Sequence, residues 1–457
     1  LSDEQRRINI LEGPLRKTVL VLALPVLGEQ LLNSFVGIFD TFLAGRISAE
    51  ATSAIGLAAY VSWLVSMLFG LVGTGTNALV ARFWGGADFG QARKVTSRSV
   101  SLAVVVGIVC TIFINLAAPT FASLQNFSGE TYDITVRYLR IDTIGYIFSS
   151  MTLVGLAALR GAGDMRSPML ILLVVNVINV SVSSCLVFGI GPFEPKGVDG
   201  IVIGTVAARV SGGLITVALL WRGLSGLQIR TSEFGLKGEL VMRILRIGIP
   251  SAAEGAIFWT GQFLFLMLIA RLAEGHEGKA IYAAHIIGVR IEALTYLPAS
   301  AWGAAAATMV GQALGGSKFS RARKVGHVAV LQCGGLSVLL LLLFYFGAEQ
   351  IFAVMHKDAL VGEVGISALK MLAFFQPFLA ISIIYNYCLR GAGDTRSPMF
   401  ISAFGVILVR LPLAYIFGIK MHGGLIGAWI GMCADMTVRA LLSSFRYTGG
   451  KWLGTRV

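Results

Sequence analysis

The chain has 457 residues, 56% of them hydrophobic and 13% charged, with a mean hydropathy of +0.78. Soluble proteins carry roughly 25% charged residues, so a water-soluble globular fold is excluded, and the apolar content excludes low-complexity disorder. The net charge of +13 comes without a basic stripe interleaved with aromatics, so no nucleic-acid partner is expected.

Residues 1–17 mix acids and bases ahead of the first apolar run, and no cleaved signal is expected there. A bilayer core takes about 20 apolar residues of helix, more when the helix tilts. Twelve segments meet that length, at 17–45, 51–81, 95–122, 130–159, 167–190, 199–221, 243–272, 279–313, 325–350, 360–389, 397–419 and 424–446. The fold class is therefore an all-α integral membrane protein. Its five cysteines lie inside these apolar runs at irregular spacing, which suits small buried residues better than disulfides or a metal site.

The first span holds two acids. At about 100° per residue Glu29, Asn33 and Asp40 fall within roughly 40° of one another, a polar stripe on one helix face. Pro25 removes a backbone N–H below the stripe and lets the helix bend. An Asp at a helix centre costs roughly 2.5–3.5 kcal/mol on insertion scales, so Asp40 needs a partner or a function. On the fifth span Asn176, Asn179 and Ser183 share a face, and Thr205 of the sixth span can line the same space. Taken alone, the Asn, Ser and Thr set reads equally well as an interhelical polar cluster.

The seventh span carries Glu254 at the position of Glu29, but Phe258 and Phe265 stand where Asn33 and Asp40 would be. On the eighth span Arg290 and Glu292 point to different faces, and His285 is as good a packed imidazole as a proton carrier. Arg410, just before Leu411-Pro412, is expected to hold carbonyls freed by the proline. On the last span Asp435 and Arg439 are spaced as a mutually neutralising i,i+4 pair.

The loops explain the charge. The side holding both termini carries 24 Lys and Arg against 7 on the other, which puts both termini in the cytoplasm of a plasma-membrane protein. Two of these loops repeat. Leu159-Arg-Gly-Ala-Gly-Asp-Met-Arg-Ser-Pro-Met169 returns as Leu389-Arg-Gly-Ala-Gly-Asp-Thr-Arg-Ser-Pro-Met399, and 80–95 matches 310–325, both at an offset of 230. Residues 25–29 align with 250–254 at an offset of 225. Each half has six spans and so starts and ends on the same side. The halves are thus parallel repeats, an arrangement that secondary transporters use around a central site. They divide as 1–222 and 243–457, joined by a polar linker at 223–242.

No Walker A, GxSxG or HExxH sequence occurs, so an ion gradient or a separate partner must supply energy and no enzymatic activity is expected. Removed from water, a lone carboxylate favours its protonated form, and an organic cation can take the proton's place. Competition for one carboxylate suffices for antiport. A proton moving inward through 100 mV supplies about 2.3 kcal/mol, against roughly 1.4 kcal/mol per tenfold substrate gradient. One proton per monovalent cation cancels the voltage; several protons restore it.

The sequence resembles the multidrug and toxic compound extrusion (MATE) family over nearly its whole length. The match is carried by Asp40-Thr-Phe-Leu-Ala-Gly45, both LRGAGDxRSP loops, Ile249-Pro250 with Glu254, Ala283-Ala-His285 to Arg290-Ile-Glu292, Val310-Gly-Gln312 and Val409-Arg-Leu-Pro412. It looks most like the DinF-type branch. That resemblance implies a V-shaped pair of six-helix bundles around a central cavity, exporting lipophilic cations by alternating access in exchange for protons or sodium. The branch usually has a span-five carboxylate four residues after an Asn; here that position is Ser183. The NorM-type acid of span ten is also missing between Ala368 and Pro377. With fewer negative charges to hold sodium, a proton on Asp40 is the expected coupling ion.

The reading is a monomeric multidrug exporter embedded in the lipid bilayer, needing no cofactor beyond its coupling ion and no resident metal. Asp40, Asn179, Ser183, Thr205 and Glu254 are expected at the coupling ion, and Glu29, Asn33, Asp40, Asn176 and Asn179 at the cationic cargo. The alternatives are sodium coupling at Asp40, Asn179 and Thr205, a flippase for a lipid-linked precursor, or a membrane scaffold that tolerates Asp40→Asn.

Overall fold

The computed structural model describes residues 3–190, 192 and 194–455. Arg456, counted above among the cytoplasmic basic residues, lies outside them. The described residues form helices and no strands. A short helix α1 (Asp3–Glu12) precedes α2 (Leu15–Ile47), α3 (Ala49–Gly85) and α4 (Phe89–Leu124). Then come α5 (Gly129–Asp142) and α6 (Tyr146–Gly161), joined through one tight turn at Thr143–Gly145 into a single span, followed by α7 (Arg166–Phe188) and α8 (Val198–Trp221). The second half has α9 (Glu239–Ile269), α10 (Gly275–Gly315), α11 (Phe319–Met355), α12 (Ala359–Ala373) and α13 (Gln376–Gly391). The eleventh span is composite: α14 (Arg396–Ala403), a π-helical stretch Phe404–Arg410, α15 (Leu411–Ala414) and a second π-helical stretch Tyr415–Lys420. Helix α16 (Gly424–Thr448) ends the bundle.

Among the described residues eleven helical spans are long and apolar enough to cross a membrane, and the α12–α13 pair, bent by 54°, makes a twelfth if it is taken as one span. The bend has a local cause. Pro377 lies in the first turn of α13, where its missing N–H is tolerated, and it prevents α12 from running on. Pro25, by contrast, sits inside α2, which runs on without a break.

The contacts gather into two compact units. One comprises the chain up to Ile8 together with Gly28–Gly248; the other comprises Asn9–Leu27 and the chain from Ile249 onward. The boundaries therefore fall inside α2 and α9, whereas the sequence repeat divides at 222 and 243. Within the first unit the linker is strapped to α4: Arg93 donates to the Gly226 carbonyl at 3.1 Å, Ser97 to Glu233 at 3.1 Å and Arg98 to the Lys237 carbonyl at 2.8 Å.

The repeat is visible at atomic level in the loops. Gly163 N–H bonds the Arg160 carbonyl and Asp164 N–H the Leu159 carbonyl; Gly393 and Asp394 make the same bonds to Arg390 and Leu389. The glycines have φ of 83° and 89°, a left-handed backbone that only glycine takes without strain. Each aspartate then caps the next helix. Asp164 accepts from the Ser167 N–H at 3.0 Å and Asp394 from the Ser397 N–H at 3.2 Å. Each loop is a tight turn whose Asp fixes the start of the following span.

Each unit builds its own core. In the first, α3 packs against α4, α5 and α6, with Phe69, Tyr138, Leu139 and Tyr146 at the centre. In the second, α10 packs in the same way against α11, α12 and α13, around Phe265, Phe344, Phe352 and Trp429. Outside the cores the helices expose large apolar side chains such as Leu31, Phe35, Ile38 and Phe42, as lipid contact requires.

Candidate ion-coupling site

The α2 stripe holds in direction but not in depth. Glu29 and Asp40 share a face, yet eleven residues of helix separate them by about 16 Å, and the structure gives them different partners. Glu29 is buried, and Arg160 of the first repeated loop reaches it at 3.2 Å. Asn33 is exposed and does not join Asp40. Of the residues expected at the cargo, the first acid is thus committed to an ion pair with the repeated loop, and the asparagine is exposed.

Glu254, expected at the coupling ion, is likewise paired. Arg390 of the second repeated loop holds both its oxygens, Nη2 to Oε1 at 2.8 Å and Nε to Oε2 at 3.1 Å, and the Ser402 hydroxyl donates to Oε1 at 3.0 Å. A carboxylate held this way by a bidentate guanidinium has its charge already matched.

Asp40 is different. Its carboxylate lies against the Thr205 hydroxyl of α8 and within electrostatic reach of Arg209 and Asp142. Its Oδ1 is buried without a hydrogen-bond partner. Asn179 of α7 donates through Nδ2 to Thr205 Oγ1 at 3.3 Å, while its own buried Oδ1 is also unpartnered. The Thr205 hydroxyl has one proton and spends it on the Ile201 carbonyl at 3.1 Å. Two buried acceptors, Asp40 Oδ1 and Asn179 Oδ1, are thus left without a donor. A proton or a cation arriving at Asp40 satisfies the first of them.

The other two span-five residues separate. Asn176 is buried with an unpartnered Nδ2. Ser183 is fully buried and turned into α8, where Gly204 leaves it room and the Ile201 carbonyl lies 3.5 Å from its hydroxyl. Ser183 thus lies at the α7–α8 crossing, on the same Ile201 carbonyl that Thr205 uses.

Sequence reasoning missed the groups that surround Asp40. Asp142, at the end of α5, is 1% exposed and accepts from Arg209 at 2.7 Å and from Ser62 at 2.9 Å. The Arg209 guanidinium also lies over the Tyr146 ring at 5.5 Å, and Gly145 leaves space for its stem, since a Cβ there would meet Arg209 Cδ at 2.8 Å. Arg209 and Asp142 neutralise each other, so the formal charge left at the site is that of Asp40. One signal was available: an Asp and an Arg within apolar spans each demand a partner.

In the second unit Arg410 does not cap carbonyls as expected. It binds Asp435 through Nε at 3.0 Å and Nη2 at 2.6 Å, and donates to Gln262. Arg439 binds the same aspartate at 2.8 and 2.9 Å, so the expected i,i+4 pair is one side of a triad. His285 is a packed imidazole: its Nδ1 accepts from Trp429 at 3.2 Å and its ring meets Phe265 edge-on. Arg290 is exposed while Glu292 faces the triad. All five cysteines are free.

Against known proteins, the MatE family model matches residues 25–184 and 250–416, one stretch in each half. The probable multidrug resistance protein NorM of Thermotoga maritima is 32% identical over 447 residues, covering 96% of this chain and 93% of that protein. The uncharacterized transporter YisQ of Bacillus subtilis is 22% identical over 445 residues, covering 97% of each. Two crystal structures of MATE, in the bent and straight conformations, superpose with TM-scores of 0.90 and 0.88 at 22% and 23% identity, covering 97% of this chain and 98% of theirs. At that identity the likeness is one of fold.

Proposed function

The chain belongs to the MatE family, and on that premise we propose that it is a multidrug efflux transporter exporting lipophilic organic cations in exchange for protons, with Asp40 as the coupling carboxylate. A relative named as a multidrug resistance protein supports the cargo class. The proton reading is supported above all by the unpartnered acceptors at Asp40 and Asn179, whose Oδ1 atoms are both buried.

The chemistry follows from these acceptors. A proton on Asp40 turns the carboxyl into a donor toward Thr205, whose hydroxyl keeps its bond to the Ile201 carbonyl. When the proton leaves, the carboxylate carries the one unmatched charge of the site, because Arg209 and Asp142 already cancel. An organic cation is the group that matches it. Proton and cargo therefore exclude each other at one atom pair, and alternating exposure of that site to the two faces converts a proton gradient into export. Sodium suits the site less well, since Asp40 is its one uncompensated carboxylate and Ser183 stands where a second acid would strengthen a site of hard oxygen ligands. We place the protein in the plasma membrane with both termini in the cytoplasm, on the 24 to 7 distribution of basic residues, and take the monomer as the working unit.

In an efflux-deficient bacterium, expression of this chain is expected to raise resistance to ethidium, and Asp40→Asn to remove that gain at unchanged protein level. Equal resistance from the variant contradicts the assignment. Resistance that follows sodium rather than pH assigns the site to the other ion.

A further inference from the structure

The second unit contains a buried charged cluster that the exchange at Asp40 does not use. Asp435 accepts four hydrogen bonds, two from Arg410 at 3.0 and 2.6 Å and two from Arg439 at 2.8 and 2.9 Å. Three of these bonds fall on Oδ2 and one on Oδ1, so both guanidiniums are spent on one carboxylate, whose charge they more than match. Both arginines are buried, at 2% and 6% exposure, and arginine keeps its charge in proteins. One positive charge is left over.

Glu292 of α10 is the acid that faces this surplus. Its carboxylate feels Arg410, Arg439 and Asp435, yet among the described residues the salt bridges of those groups run to one another and not to Glu292. The other groups turned on the cluster do not titrate in its place. Gln262 of α9 accepts from Arg410, and Phe258 and Phe265 stack over the guanidiniums at 5.5–5.8 Å. Cys433 of α16 lies near Glu292, and His285 is held as an acceptor by Trp429. A carboxylate beside a surplus positive charge, and without a salt bridge among the described residues, is the one that changes state.

The repeat strengthens the assignment. Glu292 stands 230 residues after Ser62, in the register fixed by the flanking loops, and Ser62 lies beside the Asp40 cluster through its bond to Asp142. The backbone is shaped for the triad too: Gly405 lies in the π-helical stretch, where a Cβ would collide with Asp435 and with Arg439 Cγ. Such interruptions of α-helix gather at functional sites.

We infer that the second unit has a proton-binding centre of its own, in which Glu292 gains and loses a proton beside the fixed Arg410–Asp435–Arg439 triad, so that each cycle moves two protons inward. The cluster is neutral when Glu292 is ionised and carries one positive charge when it is protonated. This rests on proton exchange at Asp40 and extends it: two protons against one monovalent cation make the cycle electrogenic.

The test is the reversal potential of ethidium exchange by the full chain in liposomes, read against imposed voltage and pH gradients. The wild type is expected to move two protons per ethidium and to respond to voltage as one net charge. E292Q is expected to fall to one proton and to lose the voltage response, and E292D to keep both. A wild type that moves one proton per ethidium, or an E292Q protein that still moves two, overturns the inference. Should E292Q fail to fold, the wild-type ratio and E292D decide between the same outcomes. Ethidium exchange with no proton movement refutes the coupling at Asp40 itself, a result distinct from a ratio of one.

Discussion

In the first half Arg160 reaches Glu29 at 3.2 Å, and in the second Arg390 reaches Glu254 at 2.8 Å, each joining the head of a repeated loop to the first span of its half. Deeper in the bundle the halves part. Asp40 has Phe265 as its counterpart, Asn176 and Asn179 have Val406 and Val409, and Ser62 has Glu292. The difference teaches which charges are scaffold. A pair retained at both positions of a duplicated chain anchors a loop that both halves need, whereas a charge kept in one half alone is free to serve transport.

The sharpest way to break this comparison is to neutralise one acid of each kind. Asp40→Asn is expected to reduce ethidium export at least tenfold, about 1.4 kcal/mol or more of lost driving interaction, while leaving the melting temperature in detergent near that of the wild type. Glu254→Gln is expected to do the reverse. It strands Arg390, and breaking a buried pair costs about 3–5 kcal/mol, a range to be read at its lower end because the arginine is 24% exposed. Glu29→Gln is expected to cost less, about 1–2 kcal/mol, since its pair is longer and its Oε2 has no partner. A Glu254→Gln protein that melts normally but exchanges no protons would falsify the division into scaffold and coupling charges.

Finer tests address the loop that the pairs hold. Asp164 lies between spans, where burial pushes its carboxyl up but hydrogen bonds from Ser167 and Ser225 and the Arg6 charge outweigh it and hold it below its ordinary value. A folded value below the unfolded one means that this stabilisation is complete above the ordinary carboxylate range and is lost as pH falls through the folded value. Asp164→Asn is accordingly expected to melt earlier at neutral pH and to converge with the wild type below about pH 4. A gap that persists unchanged into acid removes the electrostatic account. The smallest effect belongs to Gly163→Ala and Gly393→Ala, each forced to φ above 80° and each expected to cost about 1–2 kcal/mol. Matching losses of melting temperature test whether the two loops are the same device.

Much of this architecture was legible in the sequence. Twelve apolar runs, the LRGAGDxRSP repeat and the fixed 230-residue register establish the spans and their duplication, because hydropathy and span length are properties of a segment by itself. Asp40, Asn179 and Thr205 were also legible, as intramembrane polar groups with no neighbour in sequence to satisfy them. What escaped was depth and pairing. Helical periodicity gives the direction of a side chain but not which of several polar layers it belongs to, so Glu29 and Asp40 were placed in one site. Partners more than a hundred residues away, such as Arg160 for Glu29 and Arg390 for Glu254, leave no local signal. Asp142 and Arg209 escaped for the same reason, though each needed a partner. The duplication held a clue: Glu and Arg both recur at matching positions in the two halves.

The central claim is that cargo and proton compete for the Asp40 carboxylate, and proton release on binding measures that competition directly. Ethidium added to the purified protein in weakly buffered detergent solution is predicted to release protons from the wild type, and one fewer per bound ethidium from Asp40→Asn. Equal proton release from the two proteins at equal ethidium occupancy would contradict the account.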